Sequence, residues 1–347
     1  MPQRLAIKRA LIRCDANNKL GYGHLVRSLA LASALQDQNI EIYLLIKNPQ
    51  ALDMSFIDTT GVKVLMYDAA YDDAYQTTRY LVDLSINIAI FDGYFVTHSY
   101  LHSVNTALQG SGCIIVVIGN YIDDSAPCSL LVRQWPEEPD GNHPTELSGA
   151  AFLLLRKHIK DQITNRPESR KQNNNNLRLL VTVGGGNNHY LMLIAKTLFR
   201  WLEKTNSIVH IIGELPENIS LDRENIVQHG QVDSISDIAV DCDIALSACG
   251  GALYELIALG VPTLAFSITD RQKRLGDVLQ RLSLVYFLGP WNNDLVRHLE
   301  QNVDSFSTDY LLQKKLIQSG YKLIDGNGAQ RVAGEIIKMS DSEYKQI

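Results

Sequence analysis

Gly21-Tyr22-Gly23-His24 follows the strand-like run Ala10-Leu11-Ile12-Arg13-Cys14-Asp15 and opens a helix-like run from Leu25 to Ala32. That order places an imidazole at the carboxyl end of a strand, on a glycine turn that leads into a helix. Histidine is the side chain most easily poised for proton transfer near neutral pH. Glycines let a ligand approach the backbone, and the first N–H groups of a helix favour anions. His24 is therefore the candidate catalytic base, with Gly21 and Gly23 lining a substrate. Arg27, three residues on, shares its helix face and suits an anion or a sugar hydroxyl. Asp15 could orient an imidazole or bind a sugar. The same residues would also serve a plain strand-to-helix turn, with Arg27 solvated and Asp15 closing an Asx turn.

Three further segments have the same strand, turn, helix form. Asp92-Gly93-Tyr94 ends the run Ile88-Ala89-Ile90-Phe91. It offers Asp92 as a substrate ligand and Tyr94 as a hydrogen-bonding partner of the reacting sugar, or as a rim tyrosine. Gly184-Gly185-Gly186-Asn187 follows Leu179 to Val183 and suits a phosphate. Cys249-Gly250-Gly251 follows a buried run and precedes Glu255, whose carboxylate could accept from ribose hydroxyls. Cys249 reads as a small buried residue rather than a nucleophile. The dinucleotide fingerprint is absent, because the sixth position from Gly184 is His189. The nine histidines show no His-Glu-x-x-His, and the five cysteines no Cys-x-x-Cys. No metal and no cofactor are expected.

Positioning these turns requires alternating strands and helices. Strands are predicted at 10–14, 41–46, 62–66, 86–92 and 113–118, with helices at 24–37, 73–84 and 97–110. The pattern restarts with strands at 179–183, 207–212, 226–228, 243–247 and 262–267, and helices at 189–203 and 252–259. Such alternation predicts parallel sheets covered by helices. The fold class is thus α/β, with two Rossmann-like domains and a cleft between them. The expected boundaries are 1–160, a polar linker at 161–176 containing Asn173 to Asn176, and 177–310. A helical tail at 311–347 is expected to cross back to the first domain. The 347 residues suffice for two cores, and the net charge of −6 shows no basic stripe for nucleic acid. No apolar run reaches membrane-spanning length, so a cytoplasmic protein is expected, with a monomer as the simplest assembly.

These residues resemble a known family. Arg13-Cys14-Asp15, Gly21-Tyr22-Gly23-His24, Arg27 and Leu31-Ala32 are similar to the N-terminal signature of the UDP-sugar hydrolases of pseudaminic acid biosynthesis. The likeness continues, in order, through Asp92-x-Tyr94, Gly149 to Arg156, Val183-Gly184-Gly185, Cys249 to Glu255, Gly260-x-Pro262, Gln272 and Asp325 to Val332. The later glycine loops are shared with many GT-B glycosyltransferases. The resemblance implies a GT-B-like fold whose second domain holds most of the nucleotide, and a metal-independent hydrolysis. In that reaction His24 activates water and Tyr94 sits beside the sugar. The chain departs from the family pattern where hydroxyl residues are replaced by Gly251 and Ala252, and where an Asn-Gln pair reads Arg271-Gln272. Gly251 retains a backbone N–H, and Arg271 could replace the lost contacts with charge.

The expected function is hydrolysis of a nucleotide-activated sugar, releasing UDP and a free 2,4-diacetamido-2,4,6-trideoxyhexose. The nucleotide would lie on Gly184, Gly185, Gly186, Asn187, Cys249, Gly250, Gly251, Glu255, Arg271 and Gln272. Two alternatives stand beside it: a GT-B glycosyltransferase using the same kind of donor for surface polysaccharide, and an inactive nucleotide-sugar-binding protein.

Overall fold

A computed structural model describes residues 7–16, 21–47, 57–67, 72–119, 122, 125–134, 143, 145–164, 166, 176–184, 188–215 and 224–343. The chain divides into two compact units. The first comprises residues 1–54, 58–157 and 327–347, and the second 55–57 and 158–326.

The first unit begins with β1 (Arg9–Cys14), α1 (Gly23–Gln36), β2 (Glu41–Lys47), β3 (Val62–Tyr67) and α2 (Asp73–Asp83). It continues with β4 (Ile88–Asp92), α3 (His98–Ala107), β5 (Ile114–Ile118), β6 (Leu130–Val132) and β7 (Glu146–Leu147). The seven strands lie in the order β3-β2-β1-β4-β5-β6-β7, all in parallel pairs. β1, β2, β4 and β5 are almost wholly buried. Their continuous apolar runs are what a parallel sheet covered on both faces requires. Phe91, Leu11, Leu45 and Val117 pack with Leu101 and Val104 of α3.

The second unit repeats this plan. It contains α4 (Lys157–Thr164), β8 (Arg178–Thr182), α5 (Asn188–Leu202), β9 (Ile208–Ile212), β10 (Ile226–Gln228) and α6 (Ser236–Ala239). Then come β11 (Ile244–Ala248), α7 (Gly251–Ala258), β12 (Thr263–Ser267), α8 (Asp270–Arg281), β13 (Tyr286–Pro290), α9 (Asn293–Thr308) and α10 (Tyr310–Leu323). The sheet order is β10-β9-β8-β11-β12-β13, and its pairs are again parallel. Leu179, Val181, Leu246 and Phe266 form its core with Leu191, Leu198, Leu299 and Phe306. The last helix, α11 (Gly328–Glu343), belongs to the first unit and packs against α1. A methyl group on Gly328 would lie 2.1 Å from the Leu153 carbonyl oxygen, so only glycine allows α11 to start this close to the 150–153 segment.

The predicted strands and helices recur within a few residues of their expected ends. Differences arise elsewhere. Residues 161–164, expected in the linker, are helical, because Ile159 and Ile163 lie one turn apart and are both buried. Arg166, also expected there, donates to the carbonyls of Ala258, Tyr321 and Ile324 at the ends of α7 and α10. Its guanidinium stacks on the Tyr321 ring at 3.7 Å. Of the tail, α10 packs against α7 and α9 in the second unit. The rest of the linker, 165 and 167–175, lies outside the described residues.

One buried histidine in the second unit has a pH signature. Arg178 donates to His210 Nε2 at 3.2 Å, so His210 Nδ1 carries the proton and donates to His229 Nε2 at 3.0 Å. The two rings stack at 5.3 Å. Burial, Arg178 and His229 lower the His210 pKa to about 4, against the smaller opposing effect of Asp241. Its folded value lies below the unfolded one, about 6.5. The unfolded chain therefore binds more protons, and the stabilisation present above pH 6.5 is lost as pH falls toward 4. Between pH 7 and pH 5 the parent protein should lose about 2 kcal/mol more stability in urea unfolding than His210→Gln does. Equal losses in the two proteins would contradict this account of the pair.

Candidate active site

In an open α/β sheet, ligands bind beyond the carboxyl ends of the strands, where the strand order reverses. In the first unit that point lies between β1 and β4. His24, Arg27, Asp92 and Tyr94 converge there. Cys14 and Asp92 are aligned in register at the strand ends, so Asp92 emerges beneath the first turn of α1. His24 Nδ1 lies 2.6 Å from Asp92 Oδ1, and Arg27 Nε donates to Asp92 Oδ2 at 2.7 Å. Arg27 Nη2 also donates to Oδ1, and Ser28 Oγ donates to Oδ2 at 3.1 Å. Asp92 is fully buried. Burial alone would push its carboxyl up, but the Arg27 guanidinium, followed by His24, outweighs this and holds it at about 2.

The ionised carboxylate fixes the imidazole. A carboxylate only accepts, so Nδ1 must carry the proton and donate to Oδ1. Arg27 Nη2 lies 2.9 Å from Nδ1. With Nδ1 protonated, that approach reflects two donors sharing one oxygen rather than a bond between them. Nε2 is left with its lone pair. A histidine oriented through one nitrogen by a carboxylate, with the other free to take a proton, has the arrangement of a general base.

Tyr94 is 57 % exposed and meets the His24 ring edge-on at 5.0 Å. Gly21 takes φ +78° and turns the chain into α1. Gly23 opens the helix, has no positive φ, and a methyl group there would touch nothing within 4 Å. Asp15 does not orient the imidazole; Asp92 does. Asp15 instead accepts from Arg13 Nη1 at 2.6 Å, and its Oδ2 lies 3.5 Å from where a Gly93 methyl group would sit. Cys14 is wholly buried, and burial, with Asp92 nearby, pushes its thiol up to about 12.

The reversal point of the second unit lies between β8 and β11. Gly184, at φ +77°, follows β8, and Cys249-Gly250-Gly251 follows β11 into α7. Gly185, Gly186 and Asn187 lie outside the described residues. Cys249 is buried, and burial, with Asp277 adding, pushes its thiol up to about 12, which removes it as a nucleophile near neutral pH. Glu255 is only 5 % exposed rather than a solvated helix residue. Gln272 Oε1 accepts from the Ile268 backbone N–H at 2.7 Å, bracing the start of α8. Arg271, beside it, is exposed.

Helix starts at the two candidate regions differ from those of five other helices. Side chains of Asp72, Thr97, Thr269, Asn292 and Asp309 cap α2, α3, α8, α9 and α10. α1 and α7 have Tyr22 and Gly250 at the cap and no side-chain cap bond; the four-residue α6 shares this lack. No described side chain caps the first N–H groups of α1 and α7, which favour an anion. Gly250 resembles Gly23: it has no positive φ, and nothing lies within 4 Å of a methyl group built there. Among the described residues, no group of three or more His, Cys, Asp or Glu could hold a metal ion. Nor is any helix among them long and apolar enough to cross a membrane.

Sequence reasoning paired His24 with Arg27 through their three-residue spacing. It did not find Ser28 as a ligand of Asp92, nor Arg13 and Asp73 behind Asp15. Ser28 and Asp92, like Arg13 and Asp73, lie at least 60 residues apart in the chain, and only the fold brings them together.

No protein-family model and no curated protein matches the chain. Solved structures match along nearly its whole length at low identity. The calicheamicin glycosyltransferase CalG4 is 13% identical with a TM-score of 0.68, covering 96% of this chain and 98% of its own. MurG from Acinetobacter baumannii is 13% identical with a TM-score of 0.64, covering 95% and 99%. Arabidopsis thaliana UGT89C1, solved with UDP, is 12% identical with a TM-score of 0.61, covering 95% and 100%. The fold is that of the GT-B glycosyltransferases, with two Rossmann-like parallel-sheet domains.

Arg27→Met removes the main counter-charge of a buried carboxylate. The Asp92 carboxyl sits below its unfolded value of about 4, so its stabilisation is present above pH 4 and lost as pH falls toward 2. The variant should lose about 3 kcal/mol in urea unfolding at pH 7 and should begin acid unfolding at a higher pH than the parent. Unchanged urea and acid midpoints would show that Arg27 does not compensate Asp92.

Proposed function

We propose that this chain is a glycosyl-transfer enzyme acting on a nucleotide-activated sugar, with His24 as the general base. The observation that carries this reading is the His24–Asp92–Arg27 constellation at the β1/β4 reversal point, which leaves Nε2 free. The fold shared with glycosyltransferases supports it.

In the proposed reaction Nε2 takes the proton of an acceptor hydroxyl as its oxygen attacks the anomeric carbon. The bond from that carbon to the diphosphate oxygen breaks, and the diphosphate leaves with the electron pair. Attack opposite the leaving group inverts the anomeric centre. The developing negative charge on the diphosphate suits open helix N–H groups. Gly184 and the Cys249-to-Gly251 turn would hold the nucleotide, and Glu255 would face its ribose. Tyr94, beside the imidazole, would contact the sugar.

A second reading makes water the acceptor. It is favoured by the run Gly21-Tyr22-Gly23-His24 with Asp92-x-Tyr94, which resembles the UDP-sugar hydrolases. Incubating the protein with a panel of UDP-sugars, with and without simple sugar acceptors, separates the two readings. Transfer predicts UDP release that requires an acceptor. Hydrolysis predicts release without one, with label from ¹⁸O-water on the anomeric carbon. No UDP release under either condition would overturn the enzymatic reading.

His24→Asn should lower kcat by about 10²–10⁴-fold and leave the affinity for UDP within twofold; a variant of normal kcat would sink the assignment. Gly23→Ala and Gly250→Ala have room in the protein itself. Gly23→Ala should keep the parent's urea midpoint, and Gly250→Ala, at a helix cap, should lose no more than about 1 kcal/mol, with catalysis or UDP affinity falling at least tenfold. Parent-like kinetics in both would show that no ligand approaches these turns.

A further inference from the structure

Arg13 is the largest fully buried side chain among the described residues and lies at the end of β1, directly behind the candidate site. Its guanidinium spans two carboxylates. Nε and Nη2 donate to Asp73 Oδ1 and Oδ2 at 3.2 and 2.8 Å, and Nη1 donates to Asp15 Oδ1 at 2.6 Å. Nη1 also donates to the Cys14 carbonyl at 2.7 Å, and Nε to Tyr67 Oη at 3.1 Å. The Phe95 ring packs on its face at 4.1 Å. Asp73 is itself held by Tyr100 Oη, by Thr77 Oγ1 and, at 3.8 Å, by Lys47. Burial would lower the Arg13 pKa, but Asp73, Asp15 and Tyr67 raise it, so the charge is retained.

The fork therefore ties the end of β1 to α2 and β3, and Asp73 carries the link on to Tyr100 of α3. Residues two apart on a strand share a face, so Arg13 reaches forward along β1 to the carboxylate that follows it. It takes one oxygen of Asp15. The other, Oδ2, lies 3.5 Å from where a methyl group on Gly93 would sit, and Gly93 joins the imidazole-orienting Asp92 to Tyr94 in the chain. An ionised carboxylate is an acceptor only. Held beside Gly93, it suits a neutral hydroxyl and rejects an anionic substituent. We propose that Asp15 Oδ2 accepts a hydrogen bond from a hydroxyl of the bound sugar, and that Arg13 is the positioning residue that aims it. This inference rests on the reading of the chain as a nucleotide-sugar enzyme, and adds a specificity-determining pair to it.

The test is calorimetric titration with UDP, UDP-glucose, UDP-galactose, UDP-N-acetylglucosamine and UDP-N-acetylgalactosamine. All variants carry His24→Asn, which prevents turnover. The reference protein should bind at least one sugar nucleotide more tightly than UDP. Asp15→Asn should weaken that sugar nucleotide at least tenfold and UDP less than twofold. Arg13→Lys keeps the charge but loses the fork, and should do the same. The double variant should fall no more than threefold below the weaker single variant, since both changes break one contact. Should Arg13→Lys not fold, as read by its urea midpoint, Asp15→Asn decides alone. Unaltered sugar-nucleotide binding by Asp15→Asn would overturn the inference and leave the functional reading standing, as would fully multiplicative losses. A reference protein that binds no member of the panel more tightly than UDP would overturn the functional reading and the inference with it.

Discussion

A carboxylate buried without water must be compensated, or it takes up a proton and loses its charge. Asp92 is the point where this protein meets that requirement. Arg27 supplies the compensating charge, Ser28 a hydroxyl, and His24 an N–H. All three lie in the first two turns of α1, so the carboxylate also fixes that helix over the sheet. The tautomer of His24 follows from the same compensation. With Oδ1 accepting from Nδ1, the proton-accepting nitrogen is Nε2. A stability device and a chemical device are thus one set of contacts.

The two units solve the same placement problem. Each is a parallel sheet whose order reverses between two central strands, and each puts glycine turns at that reversal. α1 and α7 start there without side-chain caps, whereas five other helices recruit a side chain to close the first turn. A start without a side-chain cap gives up roughly 1 kcal/mol of helix stability, and only a few tenths where glycine is the cap, as Gly250 is for α7. Leaving it uncapped at these two places is understandable if a ligand provides the missing acceptors. Behind the first site, Arg13 joins β1 to α2 and β3, while Asp92 joins β4 to α1. The two polar networks lie beneath helices on different sides of the sheet's central strands and meet beside Gly93.

Much of the fold was legible in the residues. Apolar runs such as Ile114–Ile118 have no alternation to confuse, and glycines after Cys14, Thr182 and Ala248 mark the strand ends. The later helices were less distinct, because α8 to α10 carry long polar faces, and α4 is a short helix adjoining a polar tract. His24 and Arg27 could be paired because a helix brings i and i+3 together. Asp92 could be placed at a strand end, but its bond to His24 depends on β4 lying next to β1, a matter of strand order rather than local pattern. Arg13 was the least legible, since an arginine in a buried strand shows nothing of partners 60 residues away in Asp73. The identity of the sugar was not legible either: it depends on where single oxygens such as Asp15 Oδ2 point.

The central claim is that Asp92 holds His24 with Nδ1 protonated and Nε2 free. A two-bond ¹H–¹⁵N correlation spectrum of the histidine-labelled protein, with His24 assigned by comparison with His24→Asn, reads this directly. The account predicts that the neutral His24 ring carries its proton on Nδ1, and that this preference is lost in Asp92→Asn. A neutral ring protonated on Nε2 in the parent protein would contradict it.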